Sequence, residues 1–258
     1  MKEIQIRKND AGQRLDRFVG KAVPLLPESL LQKYIRLKRI KRNGKGTKRD
    51  VRLVEGDVLQ LYINDEFFER PTEENAWLKI ATPRLDIVYE DENILLADKK
   101  PGVLCHSAGE WSWDTLISNI QAYLRQSGEW DPKAENAFTP ALCNRIDRNT
   151  GGIVIAAKNA EALRILNDKI RDREIDKAYL CVVCGRPKPA EGRLEGYLFK
   201  DAVKNQVYVT KKPQPGAKSA ATEYRTLQSR KGLSLVECRL LTGRTHQIRA
   251  QMAAAGCP

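Results

Sequence analysis

The stretch that most constrains this chain is Cys143–Lys158, C-N-R-I-D-R-N-T-G-G-I-V-I-A-A-K. Two arginines, Arg145 and Arg148, flank one carboxylate, Asp147. Side chains alternate along a strand, so an extended local backbone puts Arg145 and Asp147 on one face. Gly151 and Gly152 then permit a tight turn or a close approach to another group. Ile153–Ala157 is apolar and rich in β-branched residues, as a buried strand is. Guanidinium neighbours favour the ionised form of a carboxylate. That suits a nucleophile or an electrostatic stabiliser better than a general acid. Taken alone, the stretch also reads as a surface turn with an ordinary ion pair.

Charge distribution separates these readings. The formal net charge is +12, unevenly spread. Residues 1–63 carry 16 Lys+Arg against 7 Asp+Glu, residues 64–98 carry 3 against 10, and residues 99–258 carry 26 against 16. Two basic regions around an acidic one suit a polyanionic partner, above all nucleic acid. No apolar run reaches the roughly 18–20 residues that span a bilayer. Met1–Lys8 alternates charged and apolar residues, unlike a secretory leader. A cytoplasmic protein with no membrane partner is therefore expected. The six cysteines are scattered, and Cys181 and Cys184 fall on opposite faces of a strand. No metal site and no cofactor are expected.

The first 63 residues read as one module. Asp10-Ala-Gly-Gln13 has the form of a capping box. Leu15, Phe18, Val19 and Ala22 follow at helical spacing, and Pro24 ends that helix. Pro27 opens a second helix, with Leu30, Leu31, Tyr34 and Ile35 inward and Lys33, Arg36 and Arg39 outward. Asn43-Gly44, just before Lys45, signals a hairpin turn. Val51–Val54 and Val58–Ile63 complete a small sheet. Residues 64–85, acidic and broken by Pro71 and Pro83, read as a linker, with Phe67, Phe68 and Trp77 free to dock on a neighbour.

Beyond the linker, Asp86–Asp98 reads as strand, acidic turn, strand. Lys99-Lys-Pro-Gly102 and His106 follow. Asp114 is placed to cap a helix through Leu116, Ile120 and Leu124, and 128–136 reads as an exposed loop. After Ile153–Ala157, Asn159 caps a helix with Leu163, Leu166 and Ile170 inward. Tyr179 sits near the start of a strand. Thr242–Thr245 reads as a strand-to-helix turn from which Arg244 projects. A helix starting there, with His246 and Arg249, offers N–H groups suited to phosphate.

Several of these segments resemble one family. Asn144–Lys158 resembles the H-R-L-D-R-x-T-S-G-L motif of RluA-type RNA pseudouridine synthases, with Asn144 for His and Gly151 for Ser. Tyr89–His106 resembles Y-E-D-x-x-x-L-x-V-x-K-P-x-G-x-x-x-H, with Lys100 in the usual proline slot and Pro101 one place later. Asp176–Tyr179 resembles the K-x-Y segment, and Gly216–Tyr224 resembles G-K-x-A-x-T-x-Y. Thr242–Arg249 matches T-G-R-T-H-Q-I-R. Residues 10–63 resemble the RNA-binding domain shared by small-subunit ribosomal protein four and many RNA-modifying enzymes.

The resemblance implies an α+β fold: a mixed, mostly antiparallel sheet with flanking helices and a central cleft, preceded by a small α/β RNA-binding domain. It implies domains at 1–63 and 86–258 around the linker. The family continues past the position of Pro258, so a C-terminally shortened chain is expected. Asp147 inherits the catalytic role, Tyr179 a stacking role against the target base, and Arg244 an ion pair with Asp147. Arg145, Arg148, Lys33, Arg36, Arg39, Lys45, His246 and Arg249 are the expected RNA contacts. The implied reaction isomerises uridine to pseudouridine without metal or redox cofactor. The expected substrate is ribosomal RNA of the large subunit, with transfer RNA the second option, and a monomer is expected. A non-catalytic RNA-binding protein with a decayed synthase domain is the alternative. A glycoside or nucleoside hydrolase would want two catalytic carboxylates, and neither motif supplies a second.

Overall fold

The computed structural model describes residues 1–68, 79–107, 113–201 and 206–258. Two units emerge, Met1–Asn167 and Asp168–Pro258.

In the first unit, β1 (Lys2–Gln5), β2 (Ile40–Arg42), β3 (Lys45–Gly46) and β4 (Val58–Leu61) form an antiparallel sheet in the order β1-β4-β2-β3. Helices α1 (Leu15–Ala22) and α2 (Glu28–Arg36) pack on it. Their inward residues Leu15, Phe18, Val19, Leu31, Tyr34 and Ile35 join Leu59 and Leu61 in one buried cluster. Asn43 and Gly44 both have positive φ, 51° and 77°, and turn the β2–β3 hairpin as expected. Other expectations change. Val51–Val54 is not a strand; only Arg52 bridges, to Arg14. The strand that fills the sheet is β1, whose alternation of charged and apolar residues is short. Asp10 does not cap α1. Its side chain is fully buried and accepts from the backbone N–H of Arg7 at 3.0 Å. Phe67 and Phe68 pack against this module's core, with the Lys2 ammonium 4.5 Å from the Phe68 ring centre. Pro71 and Trp77 lie outside the described residues.

The same unit holds a second antiparallel sheet, ordered β5-β6-β8-β7. Its strands are β5 (Ile87–Glu90), β6 (Ile94–Lys99), β7 (Ala141–Leu142) and β8 (Gly152–Ala157). The acidic turn works as the sequence suggests: Asp91 Oδ1 accepts from the N–H groups of Asn93 and Ile94, each at 2.7 Å. Helix α3 (Leu116–Gln126) covers the sheet, burying Leu116, Ile120 and Leu124 against Leu95 and Val154. Its cap is Thr115, whose hydroxyl accepts from the Ser118 N–H. Asp114 instead holds the Asn119 amide at 2.8 Å. The 128–136 loop is not wholly exposed, because Trp130 is buried in this core. Asn159 caps α4 (Ala160–Arg171), accepting from Ala162 N–H at 2.9 Å.

The second unit is a five-stranded antiparallel sheet, β11-β10-β12-β13-β9, with one helix. It comprises β9 (Ala178–Cys184), β10 (Glu191–Asp201), β11 (Gln206–Thr210), β12 (Lys218–Arg230), β13 (Leu233–Leu240) and α5 (Gln247–Ala254). Cys181 lies on the inner face of β9, its Sγ 3.8 Å from Cys238 Sγ, while Cys184 is exposed on the outer face. The C-x-x-C pair therefore does not converge. All strand ladders between these elements are antiparallel. No helix among the described residues is long and apolar enough to cross a membrane.

Candidate active site

Asp147 lies not on a strand but in the loop between β7 and β8. Side chains and a buried cation hold that loop. Asn144, in the place where the motif has His, behaves like a piece of strand. Its Oδ1 accepts from the Ile155 N–H at 2.8 Å and its Nδ2 donates to the Ile153 carbonyl at 3.4 Å. On the far side, Thr150 N–H closes a turn onto the Asp147 carbonyl at 3.1 Å. The two glycines matter in different ways. Gly152 has φ of 126°, and a Cβ on Gly151 would sit 3.2 Å from Pro101 Cδ. The displaced proline of the 99–106 segment thus packs where the motif's serine side chain would be.

Sequence reasoning missed the residue that fastens this arrangement. Lys99 is 1% exposed. Its ammonium donates to the carbonyls of Lys100 (3.0 Å), Val103 (2.9 Å) and Arg148 (3.0 Å). Burial pulls its pKa down, against the pull of nearby Cys105 and Asp147. A lysine ending an apolar strand just before a Pro-Gly turn was the available signal. Arg148 accepts from Gly102 N–H at 2.8 Å and returns a bond from its own Nε to the Gly102 carbonyl at 3.1 Å. So Arg148 is tied to the facing loop through its carbonyl and Nε, and both arginines are exposed. His106 is also exposed, yet partial desolvation and the Arg145 charge hold its pKa below the ordinary value. Burial pushes the Cys143 thiol up to about 11.

The second unit carries Tyr179, Arg244, His246 and Arg249. Tyr179 is half-buried on β9, paired in register with Cys238. Arg244 projects from the β13–α5 turn, as expected, and its Nε donates to the Ser219 carbonyl at 3.0 Å. A buried side-chain network fixes the turn. Gln247 Oε1 accepts from Arg244 N–H (3.0 Å) and the Thr242 hydroxyl (2.8 Å). Gln247 Nε2 donates to Ala221 O and to Thr222 Oγ1, and the Thr222 hydroxyl donates to Gln251 Oε1 at 2.7 Å. Two glutamines four apart on one short helix, both 3% exposed, were the readable sign of this network. His246 begins α5 with φ of 52°, and with Arg249 and Tyr208 it lines a cavity of about 270 Å³.

Lys33, Arg36 and Arg39 are exposed on α2 and the turn after it, and Lys45 is exposed on β3. The Arg39 guanidinium sits 5.0 Å from the Tyr34 ring centre.

A carboxylate on a braced loop, beside a glycine pair and a buried lysine, can be compared with known proteins. The family model for RNA pseudouridylate synthase matches residues 93–254. The chain belongs to the RNA pseudouridylate synthase family. It is an isomerase that acts on RNA. An uncharacterised RNA pseudouridine synthase of Mycoplasma genitalium is 33% identical over 95% of this chain and 76% of its own length. Ribosomal large subunit pseudouridine synthase C of Salmonella typhi is 28% identical over 100% of this chain and 77% of its own. Among solved structures, human RNA pseudouridylate synthase domain containing 4 shares the fold, with a TM-score of 0.54 at 21% identity, covering 72% of this chain and 70% of that one. The synthase fold and the isomerase class expected from the sequence both stand.

Proposed function

We propose that this synthase modifies ribosomal RNA of the large subunit, with Asp147 as its catalytic carboxylate. The observation that carries the reading is the bracing of the Asp147 loop by Lys99, Asn144 and the two glycines, which gives one acid a fixed position. The name of the Salmonella relative supports the choice of RNA.

In this reading the N1–C1′ bond of the uridine breaks, the freed uracil turns, and a C5–C1′ bond forms, with the C5 proton lost and N1 protonated. The product is an isomer of the substrate, so no co-reactant is needed. Asp147 acts on the sugar or the base. Tyr179 provides a ring on which the loose uracil stacks, and Arg244 pairs with Asp147. Arg145 helps hold the flipped nucleotide, whose unstacking costs a few kcal/mol. Residues 1–63 form the RNA-binding module. Lys33, Arg36, Arg39 and Lys45 there, with Arg148, His246 and Arg249, meet the RNA, chiefly its phosphates. The protein works in the cytoplasm as a monomer without cofactor.

Asp147→Asn keeps the side chain's size and removes its charge. Tritium release from RNA labelled at uracil C5 should fall below detection, while RNA affinity changes less than twofold because phosphate contacts dominate it. Tyr179→Phe should retain most turnover, since the ring remains. Wild-type release by Asp147→Asn would remove Asp147 from the mechanism.

A further inference from the structure

The N-terminal module is not merely strung ahead of the catalytic part of the first unit. Its residues 5–12 are keyed into two segments far along the chain, and polar side chains do the keying. Asn9 uses both ends of its amide. Nδ2 donates to Glu135 Oε1 at 2.7 Å, and Oδ1 accepts from the Ala160 N–H at 3.2 Å, one of the free N–H groups at the start of α4. Asn136 Nδ2 donates to the Gln5 carbonyl at 2.9 Å and to Asp10 Oδ2 at 2.7 Å. Asp10 is wholly buried and lies four residues before Arg14, the N-cap position of α1. The Arg164 guanidinium donates to the Ala11 carbonyl. It fits so closely that a Cβ on Gly12 would lie 2.7 Å from its Nη1. Ala137 packs on the module's apolar core. Burial, with the Asp10 charge adding, raises the Glu135 pKa.

Directional bonds of this kind fix orientation more than they add affinity. Here they tie one module to both a loop and a helix start, which leaves it no swivel about a single point. We propose that Asn9 and Asn136, with Arg164, are specificity-determining residues. They hold the basic α2 face at a constant offset from the Asp147 loop, so the module acts as a ruler that selects uridines at a set distance from the RNA feature it grips. This rests on the reading of residues 1–63 as an RNA-binding module, and its chemistry is positioning only.

The test uses the full chain with Asn136→Ala, Arg164→Ala and, separately, Lys33→Ala/Arg36→Ala/Arg39→Ala. Arg164 is exposed on its helix, so its variant keeps the fold even where Asn136→Ala does not. Hydrogen exchange at the Ala160 amide reports keying, because its acceptor Asn9 is untouched in these variants. Pseudouridine mapping on ribosomal RNA, with kcat and KM, reports specificity. The keying variants should speed Ala160 exchange about tenfold while β8 amides stay unchanged. They should raise KM about tenfold with kcat within about twofold, and add uridines to the modified set. Unchanged Ala160 exchange, or faster exchange with the same sites and KM, overturns the ruler. If the triple variant binds RNA as well as wild type, the RNA-binding reading of the module fails and the ruler with it. The exchange result then still tells whether the module is keyed.

Discussion

Two stretches of this synthase present charged side chains by opposite means. The 143–151 loop is tied through the Arg148 carbonyl to one buried ammonium, Lys99, which also takes the carbonyls of Lys100 and Val103, and the loop ends in a glycine pair. The 241–246 turn is held by neutral side chains, Gln247, Thr222 and Gln251, each satisfied by another. A buried cation concentrates the hold in one residue. A neutral network spreads it over several. The first arrangement should fail with one residue, whereas the second should lose strength in steps.

Substitutions can break that contrast. Lys99→Met fills the same space but takes the ammonium from the Val103 carbonyl and one of two donors from the carbonyls of Lys100 and Arg148. It should destabilise the protein by about 3 kcal/mol, even after the cost of burying the charge is recovered. Because it frees the Asp147 loop, turnover should drop about a hundredfold. Urea unfolding and tritium release measure the two effects, and a fall in stability without loss of turnover would show that Lys99 does not set the loop. Gln247→Leu removes one node of the neutral network and should cost less, about 2 kcal/mol, with Thr222 and Gln251 still joined. If it costs more than Lys99→Met, the neutral network is the more concentrated hold and the contrast is reversed.

The smallest effect is a pH dependence. His106 binds its proton less readily in the folded protein than its ordinary value of 6.5, first through desolvation and then through Arg145. Between the lowered folded value and 6.5 the unfolded chain holds more protons, so stability rises with pH across that window and is lost as pH falls through it. In His106→Gln that slope should disappear. Urea midpoints taken between about pH 5 and pH 7 would show it, and an identical slope in the variant would assign it to another group.

Much of the fold was legible because local chemistry and tertiary packing agree. Asn43-Gly44 demanded positive φ and received it. The alternation in Asp86–Asp98 and the apolar run Ile153–Ala157 became β6 and β8, whose faces need burial. Legibility failed where a polar residue had two uses. Asp10 and Asp114 looked like caps, but each holds an asparagine amide instead, Asn136 and Asn119. Strands β10 and β11 gave little warning, since Glu191–Asp201 carries charges on residues that a half-exposed sheet leaves in solvent. At the candidate site, Asp147 and Arg244 were singled out through their motifs. Lys99, Gln247 and Gln251 left local signs of their own, but part of what each one holds, like the Ile153 and Ile155 backbone held by Asn144, lies in another element that no local pattern announces.

The placement of the thiols has a practical side. Cys143 stands four residues before Asp147, and with a pKa of about 11 only on the order of one molecule in ten thousand carries it as thiolate at neutral pH. Cys105, Cys238 and Cys257 are buried and Cys181 is half-covered, while Cys184 faces outward on β9. A maleimide dye offered to the unaltered chain should therefore choose Cys184. That gives a single spectroscopic handle on the strand that bears Tyr179, without removing any native cysteine.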